Sequence, residues 1–445
     1  MFAKKLAKEA FVMGLEGTTP LELLLVLSCI PIGFWSFQFL PSANPWQSSV
    51  SEAITFWIPM ILCQSKLLYP YGVLYLASEL TFAIINESVR PNREVLKRTD
   101  DMRRVTLTVY RSSLLYLTFV AILSVDFHFF PRRFAKTEER GYSLMDMGAA
   151  SFVIAAGLVS TRARGKTANT RRDFARTLPL LTLGVLRLIA HKELEYQEHV
   201  SEYGVHWNFS FTLAILSPVG ALLPGPTWTL PVALLSFYQF ALYSFGLQTW
   251  IEDSPRQCLE FDHNICHFFA ANREGLLGCV GYSAIYLLSE WFGSQYLWRA
   301  PDDNYRLKFG LFKFTGGLTL FWLILEASGL TASRRSTNLV FAVWVLLVNI
   351  LILTTVRYVC VGHDKVPFVL NTVNKHGLPC FVGANLMTGI VNLSFDTMQQ
   401  NDTTAFVILL VYISGVGTLA VSLNILIPKL KGFFSRLPPG KEKIM

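Results

Sequence analysis

Apolar runs close to about twenty residues long recur from Leu21 to Leu430, broken only by short polar turns. An α-helix rises about 1.5 Å per residue, so each run reaches across a hydrocarbon core of about 30 Å. Inside that core every backbone N–H and C=O needs an internal partner, and a helix supplies one within its own segment. The chain therefore reads as all-α, a polytopic integral membrane protein. Composition points the same way: 52% of the 445 residues are apolar and 16% are charged, whereas soluble domains carry about 25% charged residues. That balance excludes a water-soluble enzyme, and it excludes a disordered chain.

Run length and breaks place about thirteen spans, at 20–40, 48–63, 67–85, 112–130, 144–160, 177–190, 205–223, 228–247, 274–296, 308–328, 338–359, 378–396 and 405–428. Those at 48–63, 144–160 and 177–190 are short. No repeat, heptad run or long polar linker divides the chain, so residues 1–445 read as one membrane domain. The segment Met1–Thr19 carries Lys4, Lys5 and Lys8 and lacks a small-residue cleavage site, so it reads as uncleaved.

Short basic loops stay on the cytosolic side, and alternate loops share the 39 Lys and Arg unequally. The richer side holds Arg90 to Arg111, Arg162 to Arg176, and the tail with Lys429, Lys431, Arg436, Lys441 and Lys443. That side and the C-terminus are expected in the cytosol, and thirteen spans then place the N-terminus in the lumen. The sequon at Asn401 falls in a luminal loop open to glycosylation. Those at Asn86, Asn208 and Asn392 sit at or within spans and are expected to stay unused.

Under this topology the polar chemistry collects on the luminal face. Asp126 and His128 end the fourth span, and Pro131-Arg132-Arg133-Phe134-Ala135-Lys136 follows. Asp146 opens the fifth span, and Arg187 lies about one turn from the exit of the sixth. The next loop carries Glu193, Glu195, Tyr196, Gln197, Glu198, His199, Glu202 and Tyr203. Further spans open with His206, Trp207 and Asn208, with Asn272, Arg273 and Glu274, and after Arg334 and Arg335. Charged groups within a membrane are costly and need partners, water or a function. Asp126 is open to two readings, a general base or a structural partner of Arg132, Arg133 or Arg187. Pro131 breaks the helix and lets Lys136 turn back toward Asp126; that pair in turn reads as catalytic or as a luminal ion pair. His263, Cys266 and His267 fall short of the four ligands of a zinc site, so no metal is expected. Seven cysteines form no dense framework.

Three segments carry unusual polar strings: 124–153 (SVDFHFFPRRFAKTEERGYSLMDMGAASFV), 192–213 (KELEYQEHVSEYGVHWNFSFTL) and 268–287 (FFAANREGLLGCVGYSAIYL). They resemble the inositol acyltransferases of glycosylphosphatidylinositol (GPI) anchor synthesis, the GPI-anchored wall transfer protein family. Weaker likenesses follow in the same order at 8–17, 333–350 and 383–394, the last reading GANLMTGIVNLS.

The resemblance implies an endoplasmic reticulum enzyme, one transmembrane acyltransferase bundle, that moves a fatty acyl group, usually palmitoyl, from acyl-CoA to the inositol 2-hydroxyl of glucosaminyl-phosphatidylinositol. It implies Asp126 and Lys136 as the catalytic pair, acyl-CoA as co-substrate rather than cofactor, and membrane lipid rather than nucleic acid as the partner. The expected site then has Asp126 taking the hydroxyl proton and Lys136 offsetting oxyanion charge or orienting Asp126. Arg132, Arg133, Arg187 and Arg273 are candidates for lipid or CoA phosphates. His128, Glu198, His199, Glu202, Tyr203, His206, Asn208 and Asn272 would line the head-group pocket. The basic loop from Arg162 to Arg176 is a second place for CoA phosphates, and equally what the positive-inside rule requires. A transporter with buried charges along its spans, or a non-catalytic scaffold, is the rival reading.

Overall fold

A computed structural model describes residues 11, 14–89, 99–167, 170–194, 202–223, 225–256, 264–299, 304–363 and 365–434. Among them the backbone is helical with no strand, only an isolated bridge between Thr18 and Tyr142. In chain order the helices are α1 (Pro20–Leu27), α2 (Cys29–Phe37), α3 (Pro45–Glu52), α4 (Ile58–Cys63), α5 (Tyr69–Val89), α6 (Thr99–Ser124), α7 (Leu144–Leu158), α8 (Thr170–Leu194) and α9 (Phe209–Leu222). There follow α10 (Thr229–Ser244), α11 (Leu247–Asp253), α12 (Asn264–Ala271), α13 (Arg273–Gly293), α14 (Asn304–Ala327), α15 (Leu339–Val359), α16 (Phe368–Lys375), α17 (Gly377–Ser394) and α18 (Asp402–Phe434).

Every apolar run expected to span is helical here, which makes the chain an all-α, multi-pass membrane protein. Six helices among the described residues are long and apolar enough to cross a bilayer, or seven if α10 and α11, bent by 72°, form one span. The remaining runs are shorter or less apolar; α7 and α9 belong to the shorter ones. Two boundaries differ from expectation in ways that matter to the site. The fourth run was expected at 112–130, but α6 begins at Thr99 and stops at Ser124. Its polar first turn is helical because Asp100 and Asp101 suit the positive end of the helix dipole. Asp126 and His128 therefore lie beyond the helix, in turns leading to Pro131. The sixth expected run is α8, which continues to Leu194, so Arg187 stands about two turns from its end rather than one.

The chain divides into two compact units. One combines the residues up to Leu24 with Arg132–Thr354; the other combines Leu25–Pro131 with the residues from Thr355 onward. In the first, α13 packs against α7, α9 and α10, and α9 packs against α8. Gly157 lets α7 and α13 touch, since a Cβ there would lie 2.6 Å from the Tyr286 carbonyl oxygen; small residues play this part between membrane helices. In the second unit α6 packs against α16, α17 and α18. The fully buried Glu52 carboxylate accepts the N–H groups of Val369 (3.0 Å) and Leu370 (2.9 Å), which caps the start of α16. An anion at a helix N-terminus faces the orphan donors there.

Candidate active site

In the first unit the segment after Pro131 is pinned by its own polar groups. Arg133 reaches Glu22 at 2.8 Å, and the Arg132 guanidinium lies 3.9 Å from the Phe11 ring centre. Lys136 Nζ donates to Glu202 Oε2 at 2.6 Å. Thr137 gives both its N–H (3.1 Å) and its hydroxyl (2.6 Å) to Asp146 Oδ2, while Arg334 Nε meets Asp146 Oδ1 at 2.7 Å. Ser143 fixes Asp146 from behind by capping α7 through the Asp146 N–H.

These contacts make Arg334 the hub of the cluster. It is 5% exposed, faces Asp146, and donates to the Glu202 carbonyl at 3.4 Å. Burial alone would lift the Glu202 carboxyl, but the charges of Lys136 and Arg334, with a further contribution from Arg187, outweigh it and hold Glu202 at about 2. Burial disfavours the Arg334 cation too, yet Asp146 and Glu202 more than compensate and raise its pKa. Glu202 thus stays ionised at any pH near neutrality, beside a lysine and two arginines. Tyr203, whose phenol burial pushes up, packs against Phe209 with ring centres 6.0 Å apart and planes tilted by 35°.

The remaining expected residues of this unit mostly shape the chain around that cluster. Asn272 Oδ1 accepts the His206 N–H at 2.7 Å, and the Val205 N–H bonds Ala271 O at 3.0 Å. The turn needs Gly204, which has φ +113 and whose Cβ would fall 2.5 Å from Asn272 Cα. Asn208 is buried, caps α9 through the Ser210 N–H, and donates to Gly184 O at 2.9 Å. Arg273, 2% exposed, donates to the carbonyls of Ile251, Ser254 and Pro255, so its guanidinium is a clamp on that turn. Beside it Glu274 pairs with Arg256 (2.6 Å) and Arg335 (3.1 Å), and Glu252 pairs with Arg140 (2.9 Å). On the basic loop, Arg162 is buried against Glu290 at 3.4 Å, an internal ion pair rather than a free phosphate anchor. Cys266 is disulfide-bonded.

The second unit holds Asp126 and His128. Asp126 is half-buried and His128 exposed. Asp126 Oδ2 accepts a hydrogen bond from Asn392 Nδ2 at 2.8 Å, across 266 positions of sequence. The same turns are tied down where Lys66 N–H donates to Phe129 O at 2.6 Å, two residues after the fully buried Gln64 that ends α4. The division between units falls between Pro131 and Arg132, so Asp126 belongs to one and Lys136 to the other. Glu195, Tyr196, Gln197, Glu198, His199 and His263 lie outside the described residues.

Arg334 and Asn392 escaped the sequence reading. Arg334 was visible only as one of two basic residues before a span, and Asn392 only as a sequon asparagine within a helix. The segments that contain them are among the weaker likenesses to the acyltransferase family, at 333–350 and 383–394.

Comparison with known proteins agrees with that resemblance along most of the chain. The GWT1 family model matches residues 4–423. GPI-anchored wall transfer protein 1 of Candida glabrata is 34% identical over 483 aligned positions, covering 95% of this chain and 98% of that protein. The Saccharomyces cerevisiae protein of the same name is 32% identical with the same coverage. That of Aspergillus fumigatus is 30% identical over 94% of this chain and 97% of its own.

Proposed function

The chain belongs to the GWT1 family, and from that premise we propose that it is an acyl-CoA-dependent inositol O-acyltransferase of GPI-anchor biosynthesis. It transfers a fatty acyl group, palmitoyl in the simplest case, to the inositol 2-hydroxyl of glucosaminyl-phosphatidylinositol in the endoplasmic reticulum membrane. The observation that carries the reading is a family match spanning residues 4 to 423, together with a carboxylate that accepts from an asparagine amide within that match.

The reaction asks for a base, a way to offset oxyanion charge, and a leaving thiolate. Asp126 takes the proton of the inositol hydroxyl, whose oxygen attacks the thioester carbonyl. The tetrahedral intermediate collapses with cleavage of the C–S bond, and the CoA thiolate leaves as the thiol after taking back the proton. An ester forms, a thioester breaks, and no covalent acyl-enzyme is needed. Lys136, kept beside an ionised Glu202, supplies a fixed positive charge for the developing oxyanion. Arg187, exposed on α8 and acting on Glu202, suits a lipid or CoA phosphate. Arg132 and Arg133 are the other candidates for that role, and His128, Tyr203 and His206 for contact with the head group.

A luminal position for the Lys136 side draws support from the disulfide at Cys266, because disulfides persist in the oxidising lumen and not in the cytosol. The N-terminus is then luminal and the C-terminus cytosolic.

Detergent-purified protein given palmitoyl-CoA and glucosaminyl-phosphatidylinositol should form acylated lipid unaided. Asp126→Asn should lower kcat roughly 100- to 10,000-fold, and Lys136→Ala should also be severely impaired. Wild-type turnover by both variants would remove the residue assignment, and no product from the wild-type protein would remove the activity.

A further inference from the structure

We propose that Asn392 is a positioning residue for this reaction: its amide N–H orients the Asp126 carboxylate, and its amide oxygen receives a second hydroxyl of the polyol whose neighbouring hydroxyl Asp126 deprotonates. The inference rests on Asp126 being the base and goes one step deeper into the same site.

Three observations lead there. Asn392 lies in the last turn of α17, whose end is closed by the Phe395 N–H to Val391 O bond at 2.9 Å. Its Nδ2 donates to Asp126 Oδ2 at 2.8 Å, and α17 packs along α6, the helix that delivers Asp126. Finally, Asn392 Oδ1 is buried and has no hydrogen-bond partner among the described residues.

The assignment of amide oxygen and nitrogen follows from the partner. An ionised carboxylate only accepts, so the amide must turn its NH₂ toward Asp126 and its oxygen away. A buried acceptor left unmatched costs stability and calls for an explanation. Here the explanation is a hydroxyl donor that arrives with the substrate. An inositol ring carries hydroxyls on adjacent carbons, so one can meet the base while its neighbour meets the amide oxygen. A neutral donor also suits a base better than a cation would. It fixes the rotamer of the carboxylate without holding it as firmly in the charged form as a guanidinium does.

The bond also explains why the sequon Asn392-Leu393-Ser394 should be silent, since a glycan on Nδ2 would need the space that Asp126 occupies. That gives the test an internal control. Ser394→Ala destroys the sequon and leaves the amide untouched.

Full-length enzyme purified in detergent would be compared as wild type, N392D, N392A, S394A and D126N, with kcat, both KM values and thermal midpoint measured for each. N392D keeps the side-chain shape but replaces the donor by a second acceptor, and N392A removes both functions without adding charge. For each, kcat should fall roughly 10- to 100-fold, the size of one lost hydrogen bond to a charged group. KM for the inositol lipid should rise, and KM for palmitoyl-CoA should stay unchanged. S394A should turn over as wild type, and intact mass should show no glycan at Asn392.

Wild-type kcat in the folded fraction of N392D or N392A overturns the proposal, because a merely structural asparagine would lower the folded yield and leave turnover per folded molecule intact. A loss reproduced by S394A overturns it in favour of a glycan. Inactive D126N with fully active N392D and N392A removes Asn392 alone, whereas active D126N removes the base and this inference with it.

Discussion

The two units bury their carboxylates by different means. In the first, Glu202, Asp146, Glu252 and Glu274 each face a lysine or an arginine at 2.6 to 2.9 Å. In the second, Glu52 is met by backbone N–H groups and Asp126 accepts, among its contacts, from an asparagine amide, while Glu87 faces a histidine. An adjacent cation stabilises the charged form, as Glu202 shows at about 2, and a carboxylate held that low is a poor base. A neutral donor orients with less loss of basicity. The first unit therefore holds fixed charge around Glu202, whereas in the second a neutral amide is one donor to the carboxylate proposed as the base.

The same change made once in each unit should break them differently. Asp126→Asn removes the proposed base while leaving an amide that still hydrogen-bonds, so turnover should collapse with the thermal midpoint nearly unchanged. Asp146→Asn leaves Arg334, 5% exposed, with only part of its counter-charge. Removing one member of a buried pair costs about 3–5 kcal/mol, so this variant should lose folded yield before it loses chemistry. Size-exclusion profiles and thermal midpoints in detergent, set beside kcat per folded molecule, would distinguish the two. An Asp146→Asn protein as stable as wild type would mean that the first unit does not depend on its ion pairs.

A smaller effect should separate charge from shape at Glu202. Its folded pKa is depressed, so its contribution to stability is fully present above the unfolded value of about 4.3 and fades as pH falls toward about 2. The stability gap between wild type and Glu202→Gln should stay constant from neutral pH down to about 5 and shrink between about 4 and 2. A gap independent of pH would show that Glu202 acts through packing alone.

Hydropathy made the helices legible because a span in hydrocarbon must be both apolar and internally hydrogen-bonded. It failed where polar residues extend a helix beyond its apolar run, as at the start of α6 and the end of α8, since nothing in hydropathy marks a helix that continues past that run. The candidate site was legible as a collection of polar residues, not as pairs. Lys136 and Glu202 are 66 positions apart, and Asp126 and Asn392 are 266 apart. No periodicity links residues at such separations. Arg273 misled for a related reason: a guanidinium near a luminal turn suits a phosphate equally well, and only the fold reveals the three carbonyls it holds.

The smallest expected change carries the opposite sign. Gln64 is fully buried in the second unit, and neither of its amide atoms has a hydrogen-bond partner among the described residues. Where polar groups are paired, as around Arg334, deletion strands the partner; where a polar group has no partner, deletion strands nothing. Gln64→Leu should therefore leave stability unchanged or raise it by up to about 1 kcal/mol, because replacing an unsatisfied buried amide with an apolar group of similar size relieves a desolvation cost. Thermal midpoints in lipid-free detergent would read this directly. A loss of more than about 1 kcal/mol would instead reveal a water or lipid bound to the amide in the resting protein, and Gln64 would then differ from the groups around Arg334 in partner type, not in partner number.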